Sequence, residues 1–330
     1  MFAVYAERSS FDDPLSGLVV GERPDPEVPD PLTGSGQAGW TTVEVKASSL
    51  NHHDLWSLRG VGLREDALPM ILGCDAAGVD EDGNEVLVHA VIGDPAWSGD
   101  ETEDPRRSLL SERFQGTFAD RVAVPRSNLV PKPASLSFAE AACLPTAWLT
   151  AYRMLFVQGG LRPGQHVLVQ GAGGGVATAL ITLARAGGLH VSVTSRDEAK
   201  RARALEIGAH EVHESGARLP ARVDAVMETV GAATWNHSLR SLRPGGIVVI
   251  SGATSGPNPD LTELNRIFFL QLRVVGSTMG TRAELAQLVS MLDATGVRPL
   301  VDRTLPMAEA REGFAAMQAG DVFGKIVFTR

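Results

Sequence analysis

The amino-acid sequence predicts an α/β fold in which a doubly wound parallel sheet is joined to a smaller β-rich domain. Three observations carry that expectation. Residues 166–196 run as an apolar strand, a glycine turn, a stretch with apolar residues at helical spacing and a second β-branched strand, which is one βαβ unit. Strand and helix patterns go on alternating through the C-terminal half, as a parallel sheet covered on both faces requires. The first 130 or so residues instead show short alternating segments parted by Pro, Gly and Asp clusters.

Taken in order, residues 42–47, 85–91 and 117–124 read as strands of the β-rich domain. The tracts 21–39 and 93–116 are rich in Pro, Gly and charge, and read as a surface loop and a long mobile loop. Val130-Pro-Lys-Pro133 is a stiff connector, and Ser137-Phe-Ala-Glu140 matches a capping box that opens a helix. Pro145 interrupts that helix, Thr146 restarts it, and the pattern continues to Phe156. After the βαβ unit, strands are expected at 223–228, 247–251 and 273–277, with helices at 199–207 and 283–292. A helix at 308–317 precedes a final strand at 324–329, expected to return to the N-terminal domain.

Composition narrows the partners. The chain has 330 residues, 44% hydrophobic and 21% charged, ordinary values for a soluble globular protein with room for two domains. A net charge of −9 argues against nucleic acid and anionic membrane. The N-terminus lacks a basic region followed by a long apolar core, and no apolar run approaches spanning length, so a cytoplasmic location is expected. Cys74 and Cys143 are the only cysteines, too few for a disulfide framework or a four-cysteine zinc lobe.

The glycine turn carries chemistry. It reads Gln170-Gly-Ala-Gly173-Gly174-Gly175-Val176, and on the G-x-G-x-x-G pattern only Gly174, where backbone must approach a pyrophosphate, is in register. Free N–H groups and the positive end of the helix dipole at such a turn bind phosphate. At the end of the second strand, where an NAD-binding protein offers Asp or Glu to the ribose 2′-hydroxyl, stand Thr194, Ser195 and Arg196, with Lys200 beyond. Hydroxyl and guanidinium suit a 2′-phosphate, so NADPH is favoured over NADH. The competing reading leaves Arg196 and Lys200 solvated and lets Asp197 reach the ribose.

With these motifs the chain resembles the medium-chain dehydrogenase/reductase superfamily, on the side of the zinc-independent quinone oxidoreductases. The likeness spans Val43–Asp54, Pro69–Gly73, Gly116–Ala119, Glu140–Tyr152, the glycine turn and Gly324–Val327. It implies a GroES-like β-barrel catalytic domain over residues 1–130 and 281–330, a Rossmann domain over 131–280, an active site in the cleft between them and a homodimer or higher oligomer. The expected cofactor set is Thr146, Gly173, Gly174, Gly175, Val176, Ser195, Arg196 and Lys200, completed by Val230, Gly252, Thr278 and Lys325. Where zinc-dependent members carry their catalytic ligands, this chain has Asn51, Cys74, Asp75 and Thr146. No metal is therefore expected, although Cys74, Asp75, His52 and His53 remain an atypical alternative.

The resemblance places Asn51 to Asp54 at the reaction. Asn51 carries an amide donor for a developing oxyanion, Asp54 orients it or a water, and His53 donates the proton that follows hydride. Each has a structural alternative, with Asp54 capping a short helix and the histidines lying in a polar loop. The expected function is hydride transfer from NADPH to a small-molecule acceptor: a quinone, an enone or another activated carbonyl. A zinc-dependent alcohol dehydrogenase and a nucleotide-binding relative with little turnover, like zeta-crystallin, stay open. Two other classes are excluded. Tyr5 and Tyr152 are followed four places on by Ser9 and Phe156, so the Tyr-x-x-x-Lys of short-chain dehydrogenases is missing. Gly34-Ser-Gly36 lacks the pattern of a hydrolase nucleophile elbow.

Overall fold

The computed structural model describes residues 1–28 and 39–330. The Gly34-Ser-Gly36 triplet and most of the predicted 21–39 loop lie outside the described residues. The chain divides into two compact units, one of Met1–Thr146, Thr281–Asp293 and Val301–Arg330, the other of Ala147–Gly280 and Ala294–Leu300. The division falls at Thr146 rather than near residue 130.

In the first unit the ten-residue strand Trp40–Ser49 is the hub. It pairs antiparallel with Ala76–Asp80, with Arg121–Pro125 and with the C-terminal strand Lys325–Thr329, whose Val327 sits opposite Ser49. The tail thus returns to the N-terminal half, as its apolar run predicts. Glu85–Val88 and Leu129–Pro131 extend the sheet on one side and Val301–Pro306 on the other. The core beneath is apolar and aromatic. Phe118 meets Phe328 and Phe314 edge-on, with ring centroids 5.2 and 6.1 Å apart, a geometry that aligns positive ring edges with negative faces.

In the second unit six parallel strands run in the order Glu211–His213, His190–Thr194, His166–Gln170, Val223–Glu228, Leu242–Ile250 and Arg273–Gly276. The order reverses about His166–Gln170, which is the doubly wound topology. Buried Val167, Leu168 and Val169 make the central strand apolar on both faces, and the helix Gly175–Ala186 buries Ala177, Leu180, Ile181, Leu183 and Ala184 against it.

Three expectations change. The tract 93–116 is folded: Asp104 is fully buried, accepting the Asp94 and Arg106 N–H groups, and Ser108–Leu109 pairs with Val91–Ile92. Its carboxylates cap their own backbone instead of merely being solvated. The connector at 130–133 belongs in part to a strand, Leu129–Pro131, paired with Glu85–Val88. The capping box is present, Ser137 accepting from Glu140 N–H and Glu140 from Ser137 N–H, but past Ala141 the helix widens to π geometry over Leu144–Trp148 and Arg153–Gln158. Pro145 cannot donate to the α ladder, and the wider turn absorbs the missing bond.

Candidate active site

The second unit supplies a phosphate cradle. Gly174 is the N-cap of Gly175–Ala186 and no side chain caps that helix, so the N–H groups of its first turn face outward as donors. Gly174 has negative φ, and a Cβ built on it would meet no protein atom within 4 Å. Nothing in the protein demands glycine there, and the space a side chain would fill suits a pyrophosphate. Ser195, at the end of the next strand, is buried, and its hydroxyl accepts the Asp197 N–H. Arg196 is exposed beside it. Asp197 is committed to capping the following helix, accepting Lys200 N–H at 3.1 Å. Arg201, which sequence reasoning passed over, folds back so that Nη1 donates to the Ser195 carbonyl at 2.6 Å. Arg196, Lys200 and Arg201 thus follow this strand end in sequence, and of the three Arg201 is bonded back to it. Thr194 turns inward instead, donating to Gln170 Oε1.

Val230, Gly252 and Thr278 follow the C-terminal ends of three neighbouring strands, the edge that also carries Gly173–Val176 and Ser195. Val230 N–H is held by the buried Glu228 carboxylate at 2.8 Å. Thr146 lies in the first unit, in the widened turn, and its Oγ1 is buried without a hydrogen-bond partner. A buried hydroxyl left unsatisfied costs about 1–3 kcal/mol, so it is poised for a ligand.

The first unit holds a polar cluster at the start of the helix His52–Leu58. Asp54 is fully buried; Oδ2 accepts Asn51 N–H at 2.9 Å and Oδ1 accepts Gly73 N–H at 3.0 Å. Gly73 has φ +97°, and a Cβ there would lie 2.6 Å from Phe118 and Thr117. Only glycine fits, and its N–H pins Asp54. Burial pushes the Asp54 carboxyl up to about 6. Asn51 donates from Nδ2 to Asp75 Oδ2 at 2.8 Å and to Ser49 O at 3.3 Å. Its Oδ1 accepts from Lys325 Nζ at 2.6 Å. Lys325, expected at the cofactor, instead spends its ammonium hydrogens on Asn51, Leu50 O and Asp75. Both Asn51 amide hydrogens and the Lys325 ammonium are thus engaged within the protein.

His53 is different. It is 21% exposed, with Nε2 3.0 Å from Glu112 Oε1 and Nδ1 3.3 Å from Cys74 Sγ and 3.5 Å from Ser111 Oγ. Burial opposes charge on the ring, yet Cys74, Glu112 and Asp54 around it raise its pKa well above the ordinary imidazole value. Burial raises the Cys74 thiol while the adjacent His53 draws it down, and its sulfur lies 3.2 Å from Leu110 O. Ser111 and Glu112 come from the folded tract, and Ser111 holds φ +66°, an uncommon backbone for a residue with a Cβ and one that marks functional turns. Neither was recognised in the sequence, because they sit among charges that look merely solvated.

His53, Asp54 and Cys74 present donor atoms within 4.8 Å of one another, so zinc must be tested against them. To hold an ion they would have to give up existing bonds: both Asp54 oxygens accept main-chain N–H groups, and the Cys74 sulfur lies against Leu110 O and would lose its proton to the metal. His52 is exposed and stands outside the cluster; Asp75 Oδ2 is tied to Ser49, Asn51 and Lys325, while its Oδ1 is buried without a hydrogen-bond partner. Cys143 is a buried small apolar residue, its thiol pushed up to about 12.

Comparison with known proteins agrees with both units. The alcohol dehydrogenase GroES-like domain family matches residues 37–134, and the zinc-binding dehydrogenase family matches residues 175–294. A zinc-type alcohol dehydrogenase-like protein of Schizosaccharomyces pombe is 29% identical over 98% of this chain and 99% of its own. The quinone oxidoreductase of Mus musculus is 28% identical over 84% of each. The crystal structure of an NAD-dependent alcohol dehydrogenase superposes over the whole of both chains with a TM-score of 0.89 at 32% identity. With a GroES-like domain, a Rossmann domain bearing the glycine cradle and these relatives, the chain belongs to the medium-chain dehydrogenase/reductase superfamily of oxidoreductases.

Proposed function

We propose that the protein is an NADPH-dependent reductase that passes hydride to a quinone, an enone or another activated carbonyl without zinc. The observation that carries this reading is His53, whose ring nitrogens face Glu112 Oε1 at 3.0 Å and Cys74 Sγ at 3.3 Å, surroundings that can hold a proton on the ring. Bound at the glycine cradle, the reduced nicotinamide supplies the hydride. Gly173–Val176 hold the pyrophosphate, and Ser195, Arg196, Lys200 and Arg201 hold the 2′-phosphate by charge-assisted hydrogen bonds.

His53 keeps a proton at Nε2 until the acceptor oxygen gains charge, then donates it. Glu112, about a quarter exposed, returns a proton from solvent. Asn51, Asp54, Asp75 and Lys325 fix the helix start that carries His53. The mouse quinone oxidoreductase among the relatives supports the acceptor class. No Asp or Glu stands at residues 194–196, where an NAD ribose is ordinarily met by one.

The test is oxidation of NADPH against NADH with naphthoquinone and enone panels in the presence of chelator. A preference for NADPH with turnover in at least one panel is expected. Equal use of both nucleotides, or tight NADPH binding with no turnover, contradicts the reading.

A further inference from the structure

In the first three strands of the parallel sheet four of the chain's eight histidines lie near one another: His166 and His190 open their strands, His210 precedes the edge strand Glu211–His213, and His213 ends it. Parallel register sets His166 beside His190 and Ser192 beside Glu211. Side chains two apart on a strand share a face, so His190 and Ser192, with their neighbours, converge on one side. His166 and His190 meet edge to face at 4.5 Å. His190 Nε2 is 3.5 Å from Glu211 Oε1, and His213 Nε2 is 3.3 Å from Glu211 Oε2. Donor atoms of His166, His190 and Glu211 all lie within 4.8 Å of one another. None of these groups takes part in the nucleotide or hydride chemistry argued above.

We propose that His166, His190 and Glu211 form a binding site for a divalent transition metal such as Zn2+, clipping the edge strand Glu211–His213 to the two strands inside it. Two imidazoles and a carboxylate select a borderline ion over Ca2+ or Mg2+. Ligands about 2.0–2.2 Å from a tetrahedral ion stand roughly 3.5 Å apart, the spacing His190 and Glu211 already have. Ser192 Oγ bridges His166 Nε2 at 2.7 Å and Glu211 Oε2 at 3.3 Å, preorganising both. When the ion takes the imidazole nitrogen, that hydroxyl keeps the carboxylate as its partner.

The remaining groups support the site. His210 stacks on His190 at 4.3 Å; its Nδ1 accepts the Val191 N–H and Arg185 lies against its other nitrogen, so it is a wall and not a ligand. His190 is 40% and Glu211 37% exposed, which leaves an entry path and a fourth position for water or His213.

Titration of the full chain with Co2+ and Zn2+ tests this. One saturable ion with only weak visible bands of nitrogen and oxygen coordination is expected, with a Zn2+-dependent rise in Tm. His190→Gln and Glu211→Gln should abolish both while leaving the metal-free Tm and hydride turnover near wild type. Ser192→Ala should weaken affinity by about 10–100-fold. His53→Gln and Cys74→Ser should keep the site intact. Glu211→Gln, nearly isosteric, serves if His190→Gln fails to fold. Absence of saturable binding, binding indifferent to both His190→Gln and Glu211→Gln, or a thiolate-to-cobalt band as the sole signal would overturn the assignment.

Discussion

A histidine with an acceptor at each ring nitrogen is best satisfied as a cation, and His53 has Glu112 on one side and Cys74 with Ser111 on the other. Its raised pKa gives a signed prediction. The group is protonated and competent below its folded-state pKa, so turnover should hold at neutral pH and fall on an alkaline limb well above 6.5. His53→Gln should lower kcat by about 100-fold or more and erase that limb. Glu112→Gln removes one of the groups holding the proton, so the limb should move to lower pH while the plateau below it survives; steady-state pH profiles read both. Asp54 titrates oppositely in its effect on folding. Its carboxyl is raised to about 6, so stability is highest while it is protonated and declines as pH rises from about 4 through 6, by a few kcal/mol at 1.36 kcal/mol per unit. Denaturant midpoints of the protein and Asp54→Asn across that range check it. Arg196→Glu should raise the KM for NADPH by about tenfold or more and leave NADH nearly unchanged, the worth of one charge-assisted hydrogen bond. At this scale the sequence singles out the Asn51–Asp54 segment but cannot show which bonds each of its side chains makes. Asn-x-x-Asp spacing fits both an oxyanion holder and a helix cap, and only the positions of Gly73, Asp75 and Lys325, all distant in the chain, decide between them.

Among the elements, the glycine turn and the strand after it were legible because period, turn residues and ribose position all lie within one local stretch. Gly174 and Gly73 show how differently two glycines are constrained. Gly174→Ala places a methyl in open space, so Tm should hold while NADPH affinity falls, since the methyl occupies the pyrophosphate's place. Gly73→Ala forces a Cβ against Phe118 and Thr117 at positive φ and should destabilise by several kcal/mol. Calorimetry with and without NADPH separates the two. The tract 93–116 was illegible for the converse reason. Charge density is the same whether Asp94, Asp100 and Asp104 face water or cap their own loop, and Ser111 and Glu112 become recognisable only once that loop is closed beside His53.

For the whole molecule, the N- and C-terminal segments build one unit because the apolar strand Lys325–Thr329 completes the sheet begun by Trp40–Ser49, a return visible in the sequence. The strand Glu211–His213 was not, since it is short and polar. No helix among the described residues is long and apolar enough to cross a membrane. The sheet's other edge, Arg273–Gly276, is flanked by the helix Leu264–Phe269, where Leu264, Phe268 and Phe269 are exposed, Phe269 by 75%, along with Val274 on the strand itself. Under the proposed function, reduction needs NADPH and a protonated His53 and no active-site metal. The decisive experiment is single-turnover stopped-flow with NADPH and naphthoquinone on chelator-dialysed protein. The same rate is expected before dialysis, after dialysis and after zinc is restored, and the rate should be lost in His53→Gln. A rate that vanishes on dialysis and returns with zinc would contradict it.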